Sequence, residues 1–146
     1  MRERQRAERP ADDLKLGRGG LVDVEYLCEG LALRHGDGVS RLLEPNTALL
    51  IEALRFEGLL ESWEVDELRT AYQLLRSVGS RLRLLDGKPS SSLPSAEAGW
   101  RDLALRLGYR DTALRAEETF RSELVFTRQR IEEVVGEVVA RDLELT

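Results

Sequence analysis

Cysteine is almost missing from this chain: Cys28 is the only one in 146 residues. No internal disulfide can form, and a reducing compartment, the cytoplasm, is the expected setting. His35 is likewise the only histidine. A zinc site needs about four Cys, His or carboxylate ligands, and a Ser-His-Asp triad needs a histidine held between two partners. Neither is assembled here, so no metal ligand and no catalytic residue is assigned. Aromatic residues make up 5%, which leaves a core to rest on Leu and Val. Lysine is scarce as well, 2 residues against 20 arginines. No apolar run approaches a membrane span, and the charged N-terminus does not read as a signal peptide. A net charge of −5 speaks against general nucleic-acid affinity.

What the chain does contain is apolar residues at helical spacing. A length of 146 residues suits one domain with a real core. Residues 1–12 form a charged linker or short helix ended by Pro10, expected to come from an upstream domain, with Met1 then a start inside a longer protein. Residues 13–146 are expected to form an all-α, antiparallel bundle of about five helices. The first runs from about Leu21 to His35, with Leu21, Val24, Leu27, Cys28 and Leu31 inward and Asp23, Glu25 and Glu29 off that stripe. The second follows the N-cap Asn46, with Leu49, Leu50, Ala53, Leu54 and Phe56 inward and Gly58 at its end. Ser62 is expected to cap the third, whose stripe runs from Val65 through Leu68, Tyr72, Leu75, Val78, Leu82 and Leu85 to a stop at Gly87. Ser95 is expected to cap the fourth, which carries Trp100, Leu103, Ala104 and Leu107. The fifth opens at Asp111 or Thr112 and carries Leu114, Phe120, Leu124, Thr127, Ile131, Val134, Val135 and Val138. At 1.5 Å per residue its roughly 30 residues would span about 45 Å, the length of the whole bundle.

One stretch stands apart, Asp13 to Leu27. Gly17, Gly19 and Gly20 can take backbone angles closed to other residues, and a helix follows them directly. The first N–H groups of that helix, its positive dipole end, and the side chains of Lys15 and Arg18 together make the chemistry of an anion site that would suit a phosphate. Counted alone, the glycines read more readily as a plain connector. Asp23 and Glu25 are open to two readings. They compensate the helix dipole with salt bridges to Arg18 or an upstream arginine, or one of them faces a neighbouring domain and orients a ligand there.

The full string is more specific. Lys15, Gly17, Gly19, Gly20, Leu21, Asp23, Val24, Glu25 and Tyr26 fall on a signature that resembles Lys-x-Gly-x-Gly-Gly-(Ile/Leu)-x-Asp-(Ile/Val)-Glu-(Phe/Tyr). That signature opens the helical domain following each nucleotidyltransferase domain in the glutamine synthetase adenylyltransferases. Leu68, Ala71, Tyr72, Leu75 and Arg76 match a second family pattern, and Ser92-Leu93-Pro94 stands where the family has Thr-Leu-Pro. The resemblance covers roughly Asp13 to Val139. It implies a parent enzyme of nitrogen metabolism that transfers AMP from ATP to a tyrosine of glutamine synthetase, or removes it by phosphorolysis. The resemblance also implies Mg²⁺ as the parent enzyme's cofactor, with none expected on this domain alone, and the PII signal protein as regulator. The partners implied are the adjoining nucleotidyltransferase domain, glutamine synthetase and PII. Lys15, Arg18, Gly19 and Gly20 become candidates for one wall of the nucleotide phosphate site, and Asp23 and Glu25 candidates for a domain interface. The PII-protein uridylyltransferases carry a related string, usually without the Glu-aromatic pair, and are the alternative. A stand-alone protein-interaction bundle is a third reading.

The catalytic centre of that superfamily, a Gly-Ser turn and an Asp-x-Asp pair on a strand, has two imperfect counterparts. Gly79-Ser80 precedes Asp86, which has no carboxylate two residues on. Asp23-Val24-Glu25 has the pair, but on an expected helix, where positions two apart point to different sides. The chain is therefore expected to lack its own catalytic centre. The arginines at 76, 81 and 83 read as surface, and Tyr72, Trp100 and Phe120 as core.

Overall fold

The computed structural model describes residues 13–86 and 92–144. The expectations for residues 1–12 and for Gly87 lie outside the described residues. Five helices account for the fold: α1 (Leu21–His35), α2 (Thr47–Phe56), α3 (Ser62–Asp86), α4 (Glu97–Arg106) and α5 (Ala116–Glu144), with a short 3₁₀ turn at Ser40–Leu43. No strand occurs among the described residues; one isolated bridge pairs Asp13 with Ser92. No described helix is long and apolar enough to cross a membrane.

The apolar stripes meet in one core. Val24, Leu27, Cys28 and Leu31 of α1, Leu50, Ile51 and Leu54 of α2, Val65, Leu68, Tyr72, Leu75 and Val78 of α3, Trp100 and Leu103 of α4, and Phe120, Leu124, Ile131, Val134, Val135 and Val138 of α5 are all buried in it. Phe120 meets Trp100 and Tyr109 with ring centroids 5.8 and 5.3 Å apart, offset geometries that aromatic quadrupoles favour. Helix α5, at 29 residues, lies against α1, α3 and α4.

Contact order sets the direction of each pair. Arg121 reaches Glu97 and Arg101 reaches Glu117, so α4 and α5 run in opposite directions. Between α1 and α5 the order is kept: Gly19 meets Arg128, and His35 meets Asp142 at 2.6 Å. These two helices run side by side in the same direction, unlike the uniform antiparallel packing expected. The long connections through α2, α3 and α4 allow it, since only a short loop forces the next helix to turn back.

Several local expectations are corrected. Asn46 does cap α2, accepting from the Leu49 N–H at 3.2 Å. Leu49 and Phe56, expected inward, are 58% and 71% exposed, because no helix covers that side of α2; the Phe56 ring instead lies 3.8 Å beneath the Arg41 guanidinium. Ser62 is the first residue of α3 rather than its cap; Glu64 turns back to accept from the Glu61 N–H at 2.8 Å, as the acid of a capping box does. Ala96, with no side-chain cap bond, precedes α4 where Ser95 was expected. Helix α5 starts at Ala116, so Leu114 precedes it and is exposed. Asp111 still serves that helix from outside, accepting from the Ala116 N–H at 2.9 Å. Arg101, donating to the Asp111 carboxyl, and the Ala116 N–H hold that carboxyl far below its ordinary pKa range.

Glu64 is fully buried, and Arg141 of α5 answers it with both guanidinium nitrogens at 3.0 and 2.7 Å. Arg141 also donates to the Leu59 carbonyl, so one side chain ties the α2–α3 turn to the far end of α5. Removing one member of a buried pair strands the other charge in the interior. Arg141→Met is expected to cost about 3 kcal/mol in urea unfolding. Arg106→Met, which breaks an exposed pair to Asp102, should cost less than about 0.5 kcal/mol.

Candidate functional site

The signature loop is built from its own polar groups. Asp13 Oδ1 accepts from the N–H groups of Lys15 and Leu16 at 2.9 and 2.7 Å, an Asx turn. The Gly17 N–H returns to the Asp13 carbonyl at 2.9 Å, and the Gly20 N–H donates to the Gly17 carbonyl at 3.0 Å. The Val22 N–H, at the start of α1, donates to the Lys15 carbonyl. Asp23, expected off the buried stripe, is buried and accepts from the Gly19 N–H through Oδ2 at 2.8 Å. Its carboxylate thus occupies the positive end of the helix, where a foreign anion had been expected.

The glycines are required by contact. Gly19 has φ +67°, and a Cβ built there would lie 2.1 Å from the carbonyl oxygen of Arg128 in α5. Gly20 has no room for a side chain either: its Cβ would lie 2.6 to 2.8 Å from three loop carbonyls. Arg128 closes the contact from the other side. Its Nε donates to the Arg18 carbonyl at 2.9 Å and its Nη2 to the Asp13 carbonyl at 2.8 Å. Leu14 is buried, with its side chain over Gly79 of α3. The Asp13–Ser92 bridge brings the Ser92-Leu93-Pro94 segment beside the same loop.

The candidate residues therefore divide. Lys15 and Arg18 are exposed, and among the described residues neither side chain has an ion pair or hydrogen bond. The Gly19 and Gly20 N–H groups already have internal acceptors. Asp23 belongs to the loop's own bonding, and Glu25 is half-buried on the next turn. Both segments compared with a catalytic centre, Asp23–Glu25 and Gly79–Asp86, lie on helices. Burial pushes the Cys28 thiol up to about 12, with Glu29 and Glu25 adding to the effect, which makes it a poor nucleophile. His35 bonds Asp142, which also pairs with Arg34 at 3.3 Å.

Arg128 was not singled out by sequence reasoning. A signal was there: it stands four residues after Leu124 and three before Ile131, on the stripe that faces the bundle. A cation in that register needs a polar partner inside.

The family model described as GlnD PII-uridylyltransferase matches residues 1–139. The chain belongs to that family. Among curated relatives, a bifunctional glutamine synthetase adenylyltransferase/adenylyl-removing enzyme of Stenotrophomonas maltophilia is 32% identical over 82% of this chain and 12% of its own length. One of the same name from Methylococcus capsulatus is 31% identical over 96% of this chain and 14% of its own. In Pseudomonas syringae the similar protein is 28% identical over 89% of this chain and 13% of its own. The chain thus corresponds to a small part of these enzymes. Within this family member, the Gly19 contact gives a direct test. Gly58→Ala, at φ +75° with open space around it, should lose about 1–2 kcal/mol from the left-handed backbone alone. Gly19→Ala should lose more than about 3 kcal/mol in chemical denaturation, because backbone strain and a backbone clash combine there.

Proposed function

We propose that this chain is the helical domain of an enzyme that adenylylates glutamine synthetase, or removes the adenylyl group, and that its signature loop helps to hold the nucleotide phosphates for an adjoining nucleotidyltransferase domain. One observation carries the reading. The loop is pinned from three sides, by Asp23, Arg128 and Leu14 over Gly79, yet it holds two cations outward without a partner among the described residues. The pinning by itself serves the fold; the two outward cations are what it does not require. A fixed loop backbone suits a phosphate chain, because the ordering on binding then falls on the two side chains alone. The names of the curated relatives support the substrate and the reaction.

In this reading the site is made by side chains. Lys15 offers a compact point charge and Arg18 a planar fork that can grip two phosphate oxygens. The glycine N–H groups, taken up within the loop, give the wall its shape rather than its donors. ATP with Mg²⁺ supplies the AMP in this reading. The part of this chain is to neutralise phosphate charge and to present Glu25 and Tyr26 at the face toward the next domain. PII as regulator and the cytoplasm as location belong to the same proposal.

The family model's description favours a second reading, a uridylyltransferase acting on the PII protein. Glu25-Tyr26 weighs toward the adenylylating branch. The full-length parent enzyme tests both, offered ATP or UTP with glutamine synthetase or PII as acceptor. AMP transfer to glutamine synthetase is expected, and UMP transfer to PII would overturn the first reading in favour of the second. In the same assay Lys15→Ala and Arg18→Ala should each lower the transfer rate about tenfold or more, given about 1.5–3 kcal/mol per charge-assisted bond. The thermal midpoint should not move. Unchanged rates would leave a scaffold with no phosphate role.

A further inference from the structure

Most arginines of this chain are engaged. Arg41, Arg55, Arg69, Arg101, Arg106 and Arg121 each reach an acid within 3.3 Å, and the rest of the engaged set pair with acids or backbone carbonyls. Among the described residues the exceptions are few. Lys15, Arg18, Arg81 and Arg83 have no ion pair or side-chain hydrogen bond. Arg76 has only the Tyr72 ring, 5.8 Å from its guanidinium carbon. In a chain of net charge −5, cations without an ion pair are the unusual ones.

Their placement is not scattered. The loop meets α3 where Leu14 lies over Gly79, 3.6 Å from where a Cβ would stand. Arg76 and Arg83 are three residues before and four after Gly79, so both share its side of the helix. They stand one turn to either side of the contact, about 10 Å apart along the axis. Lys15 follows Leu14 directly and is exposed. Arg81, two residues from Gly79, is rotated about 200° away.

We propose that Arg76 and Arg83 of α3 join Lys15 and Arg18 of the loop in one polyphosphate-binding face, divided by the Leu14–Gly79 contact. The inference rests on the reading of the loop as a phosphate wall and extends it to a second element. Its ligand is the triphosphate of a nucleotide or a free inorganic polyphosphate, which present the same charge to this face. Asp13, the acid nearest the seam in sequence, has its Oδ1 turned to the N–H groups of Lys15 and Leu16.

Titration calorimetry of the 146-residue chain with inorganic tripolyphosphate, and separately with ATP, tests this. Wild type should bind both. Arg76→Ala and Arg83→Ala should each weaken tripolyphosphate binding about threefold to tenfold, whereas Arg81→Ala, an equal loss of charge on the opposite side, should match wild type. Circular dichroism melts of all variants should coincide, since the side chains removed are exposed. Equal losses in all three α3 variants would mean diffuse charge and overturn the proposal. Losses in Lys15→Ala and Arg18→Ala but none in Arg76→Ala or Arg83→Ala would overturn it while leaving the loop reading intact. The reverse pattern would overturn both, as would failure of wild type to bind either ligand. ATP binding without tripolyphosphate binding would show that the base carries recognition and would also overturn it.

Discussion

The approach of the signature loop to the backbone of α5 is the constraint on which the rest of the molecule depends. Gly19 sits where no other residue has room, against the Arg128 carbonyl, and the Arg128 side chain reaches back to the carbonyls of Arg18 and Asp13. Two segments more than a hundred residues apart are thereby locked in register. The same contact sets where α1 begins and which way it lies along α5. With the ends of both helices also joined through Asp142, His35 and Arg34, α1 is held at two points separated by its whole length.

A second long-range tie works on the opposite principle. Glu64 and Arg141 bring a full charge pair to the turn between α2 and α3. The loop contact relies on close backbone approach and neutral carbonyl acceptors, whereas this one relies on mutual charge. Both use a half-buried arginine of α5 whose head meets polar groups of a distant segment. A helix that must touch several elements at once gains from such reach, since apolar contacts alone would allow it to slide.

The proposed function rests on how that fixed framework disposes of charge. The helix end that could have bound an anion is filled by Asp23 from within. Lys15 and Arg18 are left outside it, on a loop with little freedom. In the reading proposed above, that arrangement offers side-chain charge to a ligand shared with another domain. That fits a chain matching only about an eighth of the length of its curated relatives.

Much of this was legible in the residues. The spacing of Leu21 to Leu31 placed α1 at its observed bounds, Asn46 marked the start of α2, and the string from Lys15 to Tyr26 pointed to the family, because those features act over a few neighbouring positions. Leu49, Phe56 and Leu114 misled, since an apolar side chain at helical spacing does not say whether another helix will cover it. That Asp23 turns inward, that α1 runs alongside α5 in the same direction, and that Arg128 holds the loop depend on contacts made across the fold. The sequence by itself determined which segments are helical and which loop is special; only the tertiary structure decided which donors of that loop remain available, because packing, not local pattern, selects the partner of each buried polar group.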